Sequence, residues 1–318
     1  SYMIKLNIDL PEGFLDEEER DGYVVPAEMK QVWAIQMDLL TQLINVCQQN
    51  DIKMWVDGGT LLGAVRHHGY IPWDDDIDVM MLREEYDKLM AIGKDAFEHP
   101  YFFQNAYTDF GYSLGHAQLR NSLTAAIRPA DSFKLYNQGI FIDIFVLDAV
   151  PEDPALRVST IKESNRIRRF LKARDTNILY SGRFTLIGRK LKARRAVKKQ
   201  GWGNIYRKSE DILRSISFDN CRYVAPRSFV GDHFLYDKHI FDETIRLNFE
   251  HIKVPVPKKY HEFLVVHYGS DYMTPRHDST NHGELVFDTS RSYREVLPEV
   301  RKAFKHSLFK RLWEKISK

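Results

Sequence analysis

The sequence predicts an α+β fold, and three observations carry that expectation. Segments with apolar residues at helical spacing alternate with short stretches whose apolar residues recur every second position. The Gly58-Gly59 pair marks a sharp turn between one such strand and a helix. A long basic block of helical texture interrupts the pattern after residue 155 and reads as an inserted basic helical subdomain.

In chain order, residues 1–25 form an N-terminal extension and Pro26 to Asn50 a helix. Pro26 suits a first helical turn, and Val32, Ile35, Leu39, Leu43, Val46 and Cys47 share one face, the pattern of core packing rather than chemistry. Lys53 to Val56 reads as a short strand and Thr60 onward as a helix. Ile77, Val79 and Met81 then alternate with Asp76, Asp78 and Met80, so a strand here projects Asp76 and Asp78 from one face. Arg83 to Phe97 is helical in pattern, and Tyr101 to Gln104 and Ser113 to Arg120 are strand candidates. Gly139 to Asp148 is an apolar strand with Asp143 at its middle; Asp148, at its end, reads as a cap or loop residue. The core unit therefore spans 26–155, the insertion 156–215, and a C-terminal part, 216–318, completes the core. In that last part Val224 to Phe241 is loop-rich with strand potential and Tyr260 to Tyr268 is a short helix. Phe304, Leu308, Phe309, Leu312, Trp313 and Ile316 lie at helical spacing among Lys and Arg, a helix expected to dock on the core, with membrane contact as the alternative.

The composition, 43% hydrophobic and 28% charged over 318 residues, is that of a soluble globular protein able to bury a sizeable core. No apolar run approaches the ~18 residues that a spanning helix needs, and the N-terminus shows no signal pattern, so the expected location is cytoplasmic. Cys47 and Cys221, the only cysteines, are too few for a disulfide framework or a zinc site and are expected as reduced thiols. The net charge of +2 hides an asymmetry: between Arg157 and Arg214, 18 Lys or Arg stand against 4 Asp or Glu, a surplus of 14 that leaves the remainder at −12. A break near Ser181-Gly182 divides this block into two helical parts. A surplus of this size suits the anionic surface of a membrane, with the protein peripheral at its inner face. No nucleic-acid motif accompanies it, so no nucleic-acid partner is expected.

Chemistry concentrates between Trp55 and Met81. Gly58 and Gly59 let backbone N–H groups approach an anion, and a helix starting there favours phosphate at its N-terminus. Asp74, Asp75, Asp76 and Asp78 crowd four carboxylates into five residues, whose joint ionisation calls for a cation or open water. Two carboxylates on one strand face form a seat for Mg²⁺, with Mn²⁺ as a substitute. An EF-hand register is also present, with Asp74, Asp76, Asp78 and Glu85 at its first, third, fifth and twelfth positions. Its sixth position holds Val79 rather than glycine, and Val-Met-Met suits a strand, which argues against calcium. Asp143 is costly within so apolar a strand unless it is paired or metal-bound, and it converges on Asp76 and Asp78 if the two strands are neighbours. His277 and His282 flank a polar loop and read as surface histidines.

The residues from Gly58 to Arg66, Gly-Gly-Thr-Leu-Leu-Gly-Ala-Val-Arg, with Gly69, Ile71 to Asp78, Gly139 to Asp148 and Tyr268-Gly269 to Pro275, resemble the successive signatures of the LicD family of phosphocholine transferases, relatives of fukutin and fukutin-related protein. The basic insert lies outside that resemblance, and Val146 stands where the family usually has proline. The resemblance implies a nucleotidyltransferase fold, a small mixed sheet flanked by helices. It implies Gly58, Gly59, Thr60 and Arg66 at the donor's phosphates, and Asp76, Asp78 and Asp143 as metal-binding catalytic carboxylates. Asp57, Trp73, Asp74, Asp75 and Asp148 would support the donor from nearby, and Trp73, Tyr112 and Tyr136 are candidates to surround a choline cation. The implied reaction moves phosphocholine from CDP-choline to a hydroxyl of a cell-surface glycan or teichoic-acid precursor on a polyprenyl carrier, releasing CMP. Alternatives are a CDP-ribitol or CDP-glycerol donor, a nucleotidyltransferase adding NMP to a small molecule, and an inactive membrane-surface scaffold.

Overall fold

The apolar stripe after Pro26 folds as a 23-residue helix, α1 (Ala27–Gln49), in a computed structural model that describes residues 3–276 and 285–317. A small hairpin, β1 (Glu18–Arg20) and β2 (Tyr23–Val25), precedes it. Then follow β3 (Trp55–Val56), α2 (Gly58–Arg66), β4 (Asp78–Leu82), α3 (Arg83–Ala96), β5 (Tyr101–Gln104), β6 (Ala117–Asn121), β7 (Ala125–Ile127) and β8 (Ile140–Ala149). The basic block expected as an insertion folds as α4 (Pro154–Arg174), α5 (Ile178–Ser181), α6 (Ile187–Gln200) and α7 (Trp202–Arg214). The chain continues through β9 (Tyr223–Ala225), α8 (Arg227–Val230), β10 (Tyr236–Asp237), the hairpin β11 (Thr244–Phe249) and β12 (Ile252–Pro257), α9 (Tyr260–Tyr268), β13 (Val286–Asp288) and α10 (Tyr293–Ile316).

Seven strands form one mixed sheet in the order β10-β9-β8-β4-β3, with β6 also bonded to β8 and β5 to β6. β4 runs parallel to β8 while the other neighbours are antiparallel, so the α+β expectation holds. Helices α1, α3, α7 and α8 all pack against β8. A strand covered this way buries both its faces. The same cover explains a departure in β4: Met80 is as fully buried as Val79 and Met81, so the polar–apolar alternation ends at Asp78. Asp76 lies before the strand, in the loop that enters it.

The basic helices bury little. Leu171, Val197, Trp202, Ile205 and Tyr206 form a small cluster with Ala106 where α4, α6 and α7 meet. Gly182, at φ +65°, ends α5 at the expected break. An ionic cluster also ties the basic helices to the sheet, and it corrects the reading of Asp148. Rather than a cap or a donor-side group, Asp148 is a fully buried member of β8 that accepts two hydrogen bonds from Arg83, at 2.6 and 2.8 Å. Arg83, at the start of α3, also donates to Glu210 of α7 at 2.8 Å. The apolar strand tolerates Asp148 because the guanidinium matches its carboxylate bidentately.

The C-terminal helix departs from expectation in its second half. Tyr293, Val296, Leu297 and Val300 pack with Ala125 and Ile127 in a small cluster beside β7. The named stripe does not dock: Phe309, Leu312, Trp313 and Ile316 are exposed, the last two at 73% and 80%. Only Phe304 and Leu308 are partly covered. The core ends before the helix does. Among the described residues no helix is long and apolar enough to cross a membrane.

Candidate active site

The Gly-Gly turn places the start of α2 at the floor of a cleft of about 1040 Å³ lined by Asp57, Gly58, Gly59, Arg66, Asp74, Asp75, Asp76, Asp78 and Asp143, among others. Asp57 caps α2 by accepting from Gly58 N at 2.7 Å. Gly58 adopts φ +50°, a conformation side chains disfavour, and a Cβ there would stand 3.6 Å from Asp78 Oδ2. At Gly59 a Cβ would come within 2.7 Å of Asp74 Oδ2. Position 58 is therefore glycine for its positive φ, and position 59 because the Asp74 carboxylate occupies the place of a Cβ.

Asp78 and Asp143 are register partners on the parallel neighbours β4 and β8. Partners at one level of adjacent strands, about 4.8 Å apart, send their side chains to the same face. The expected convergence of these two residues is what the topology delivers. Asp76 lines the same cleft from the entering loop, not from the strand, and α1 holds that loop: Trp33 Nε1 donates to Asp74 O at 2.8 Å and Gln36 Nε2 to Asp75 O at 2.6 Å. Trp33 in turn stacks on Tyr70 at 4.2 Å. The face of α1 read as packing alone thus also positions the acidic loop.

Sequence reasoning missed the groups that orient Asp143. His116 Nε2 and Gln118 Nε2 both donate to Asp143 Oδ1 at 2.7 Å, leaving Oδ2 without a hydrogen bond among the described residues. Gln118 sits directly across from Asp143 in the β6–β8 register. The loop that delivers His116 is pinned by α7, through Trp202 Nε1 to Tyr112 O at 2.8 Å and Tyr206 Oη to Leu114 O at 2.6 Å. A usable signal existed: His116, Gln118 and Arg120 recur every second residue, a polar face on a buried strand. Tyr268 was read only as part of a signature, yet its hydroxyl lies 3.8 to 3.9 Å from where Cβ atoms on Gly58 and Gly59 would be.

Other expected residues divide. Arg66 lines the cleft, donating to Tyr272 O at 2.7 Å and to His67 at 2.9 Å. Trp73, Tyr112 and Tyr136 line it too, Tyr112 and Tyr136 meeting edge-on at 6.0 Å. Thr60 does not reach the cleft: its hydroxyl is buried and accepts from Asp78 N at 3.0 Å, so it anchors β4 rather than a phosphate. Asp148 is on the ionic cluster described above. Glu85, the twelfth residue of the calcium register, accepts from Lys53 N and Lys88 on α3, outside the cleft lining. His277 and His282 lie outside the described residues.

The electrostatics are those of crowded acids. Burial, then Asp76 and Asp143, push the Asp78 carboxyl well above the carboxylate range. Burial, with Asp76 and Asp75, pushes Asp74 up to about 8 against the pull of Arg66, and burial pushes Asp57 up to about 6. Asp143 goes the other way: burial raises it, but His116 and Gln118 together hold it below its usual value. A divalent cation fits this donor set. Asp78 accepts no side-chain hydrogen bond among the described residues and Asp143 keeps one oxygen open, so hard, anionic oxygens face the cleft without protein donors. No three His, Cys, Asp or Glu side chains among the described residues yet stand close enough to enclose an ion. The fit therefore rests on Asp78 and Asp143, with Asp76 beside them.

The shifts give a signed prediction. Folded Asp57, Asp74 and Asp78 hold protons more tightly than an unfolded chain would, so these three groups lower stability as pH rises from about 4 to 8, opposed below about pH 6.5 by His267, whose burial holds it at about 4. Without divalent cations, Tm is expected to be several degrees lower near pH 8.5 than near pH 5.5, and Mg²⁺ to shrink the gap. Scanning fluorimetry in EDTA and in Mg²⁺ checks this; a Tm that climbs with pH in EDTA contradicts it.

This combination of glycine turn, acidic loop and paired strand carboxylates falls within residues 51–148, which match the LicD/FKTN/FKRP nucleotidyltransferase domain. The chain carries a LicD-family domain. Lipopolysaccharide cholinephosphotransferase LicD of Haemophilus influenzae is 27% identical over 263 residues, covering 77% of this chain and 92% of its own. Ribitol 5-phosphate transferase FKRP of Homo sapiens is 40% identical over 43 residues, 14% of this chain and 9% of its own. The LicD-family domain contains every cleft carboxylate named above and both residues that orient Asp143.

Proposed function

We propose that this protein transfers a phospho-alcohol, phosphocholine in the first instance, from a CDP-linked donor to a hydroxyl of a cell-surface glycan or teichoic-acid precursor, releasing CMP. The observation that carries the reading is the pairing of Asp78 with Asp143 at one level of β4 and β8, beside the Gly58-Gly59 turn. Likeness to a cholinephosphotransferase over most of its length supports the choline donor, and the short likeness to a ribitol 5-phosphate transferase keeps CDP-ribitol as the second reading. Mg²⁺, or Mn²⁺ in its place, would sit on Asp78 and Asp143 with Asp76 nearby and would supply charge neutralisation at the transferred phosphoryl group.

The chain's own residues do the rest. The start of α2 receives the diphosphate, its glycines allowing close approach. Arg66, and Arg168 and Arg169 of α4, line the cleft and balance the donor's charge. His116 and Gln118 occupy Asp143 Oδ1 and turn Oδ2 to the cleft, where Asp143 would help hold the cation and stand beside the acceptor hydroxyl to receive its proton. The acceptor oxygen then bonds to the phosphorus bearing the alcohol, and the bond from that phosphorus to the CMP oxygen breaks. The acceptor, carried on a polyprenyl lipid, would meet the enzyme at the inner membrane face.

Thermal-shift titration with CDP-choline, CDP-ribitol and CDP-glycerol, each with and without Mg²⁺, tests this. A true donor should raise stability by about 2.7 kcal/mol at a hundredfold excess over Kd and, at equal concentration, more in Mg²⁺ than in EDTA. Turnover should release CMP. Release of pyrophosphate would instead indicate NMP transfer, and silence towards every donor would indicate a scaffold.

A further inference from the structure

We infer that the free half of α10 and the tip of the basic insertion form one docking surface for an anionic lipid bilayer, set at the rim of the cleft. Several exposed cations have acidic partners: Arg166 pairs with Glu163, Arg214 with Asp87 and Asp211, and Arg291 with Asp288 and Glu299. On α6 six cations crowd one helix without any among the described residues. Arg189, Lys192, Arg194, Arg195, Lys198 and Lys199 are exposed and make no ion pair with any described residue. The exposed Ile187 and Leu191 lie among them.

The second patch is on α10. Phe309, Leu312, Trp313 and Ile316 occupy positions i, i+3, i+4 and i+7, an arc of about 100° of the helix, with Lys310, Arg311 and Lys315 on the same turns. The insertion and α10 are linked at Phe133, through α5, which leads into α6, and through the turns of α10 that precede the stripe. The Phe133 ring stacks on Tyr180 of α5 at 4.9 Å and meets Phe304 of α10 at 6.0 Å, while Lys305 Nζ lies 5.7 and 5.9 Å from the Phe133 and Tyr180 rings. Leu179 and Leu135, beside these contacts in sequence, are 80% and 90% exposed. Phe133 and Leu135 belong to the segment whose Arg128, Asp131 and Tyr136 line the cleft, so the surface adjoins its mouth.

Charge complementarity selects the occupant. A solvated basic face needs no exposed Trp, Phe or Leu, and a nucleic acid would use the cations and rings but leave Leu179, Leu135, Leu312 and Ile316 in water. A protein partner's apolar contact is depleted of Lys. Anionic headgroups above acyl chains match both halves of the pattern. This deepens the membrane part of the proposed function but stands on its own observations.

The test co-sediments the full chain with vesicles of phosphatidylcholine alone and of phosphatidylcholine with phosphatidylglycerol. Pelleting is expected with the anionic vesicles, weakening with salt, and with a blue shift of tryptophan emission that the Trp313→Phe variant lacks. The Leu312→Glu/Trp313→Glu and Arg194→Glu/Arg195→Glu variants, checked for unchanged circular dichroism, should each bind at least about tenfold more weakly. Undiminished binding by both variants, absence of binding, or equal binding to polyuridylate would overturn the inference. So would self-association of the native chain that Leu312→Glu/Trp313→Glu abolishes, since a second copy would then cover the face. Vesicle binding needs no donor, so its failure leaves the transferase reading intact, and a protein that binds vesicles yet ignores every CDP-alcohol fails only the latter.

Discussion

Replacing Asp78 by Asn is expected to lower turnover by about two to three orders of magnitude while leaving the fold in place. The expectation follows from what the side chain does and does not hold. The backbone bonds at the head of β4, from Asp78 N to Thr60 Oγ1 and from Asp57 N to Asp78 O, involve no carboxylate, so the strand survives the change. The carboxylate itself is raised by burial and repelled by Asp76 and Asp143, so the amide also relieves strain in the cation-free protein. Two readouts therefore move in opposite directions: activity falls, and Tm in EDTA stays level or rises. The stabilisation by Mg²⁺ should disappear in the same variant. Near-normal release of CMP by Asp78→Asn would refute the role given to the Asp78–Asp143 pair.

Arg83→Ala is expected to carry the largest cost in stability. It strands the buried Asp148, while Glu210 keeps Tyr107 and Arg214, and breaking such a pair from one side costs about 3–5 kcal/mol. At about 2.1 cal/mol/K of unfolding entropy per residue, a chain of this size should lose roughly 5–8 °C in Tm. Replacing all three members by apolar residues, Arg83→Met with Asp148→Leu and Glu210→Leu, should recover most of that loss, because no charge is then stranded. Scanning calorimetry of the two variants separates charge stranding from lost packing; a triple variant as unstable as Arg83→Ala would assign the cost to packing instead. The cluster also joins α3, β8 and α7, and α7 pins the loop that ends in His116. Activity should fall with stability in the single variant.

Most of the local structure was legible. The α1 stripe, the helix of residues 260–268 and the strand of residues 101–104 follow from periodicity alone, since each pattern depends only on near neighbours in the chain. The glycine turn was legible because few residues tolerate the backbone of Gly58. Less legible was anything that needed a partner. Asp143 and Asp148 are both acids in one apolar strand, five residues apart. Nothing local says that one opens to the cleft and the other meets Arg83. Thr60 and Asp76 were misplaced for the same reason: where a side chain points at the end of an element depends on what lies across from it.

By itself, then, the order of residues determined the main helices and the strands that carry the site, the acidic character of the site and the separation of charge along the chain, all of which are set by composition and by spacing within one segment. Tertiary structure alone decided that β4 lies parallel to β8 with Asp78 level with Asp143, that His116 and Gln118 claim one oxygen of that acid, and that the apolar stripe of α10 runs past the edge of the core. The physical reason is common to all three. Pairing register and burial are contacts between segments far apart in sequence, and their energies exist only once the chain has closed on itself.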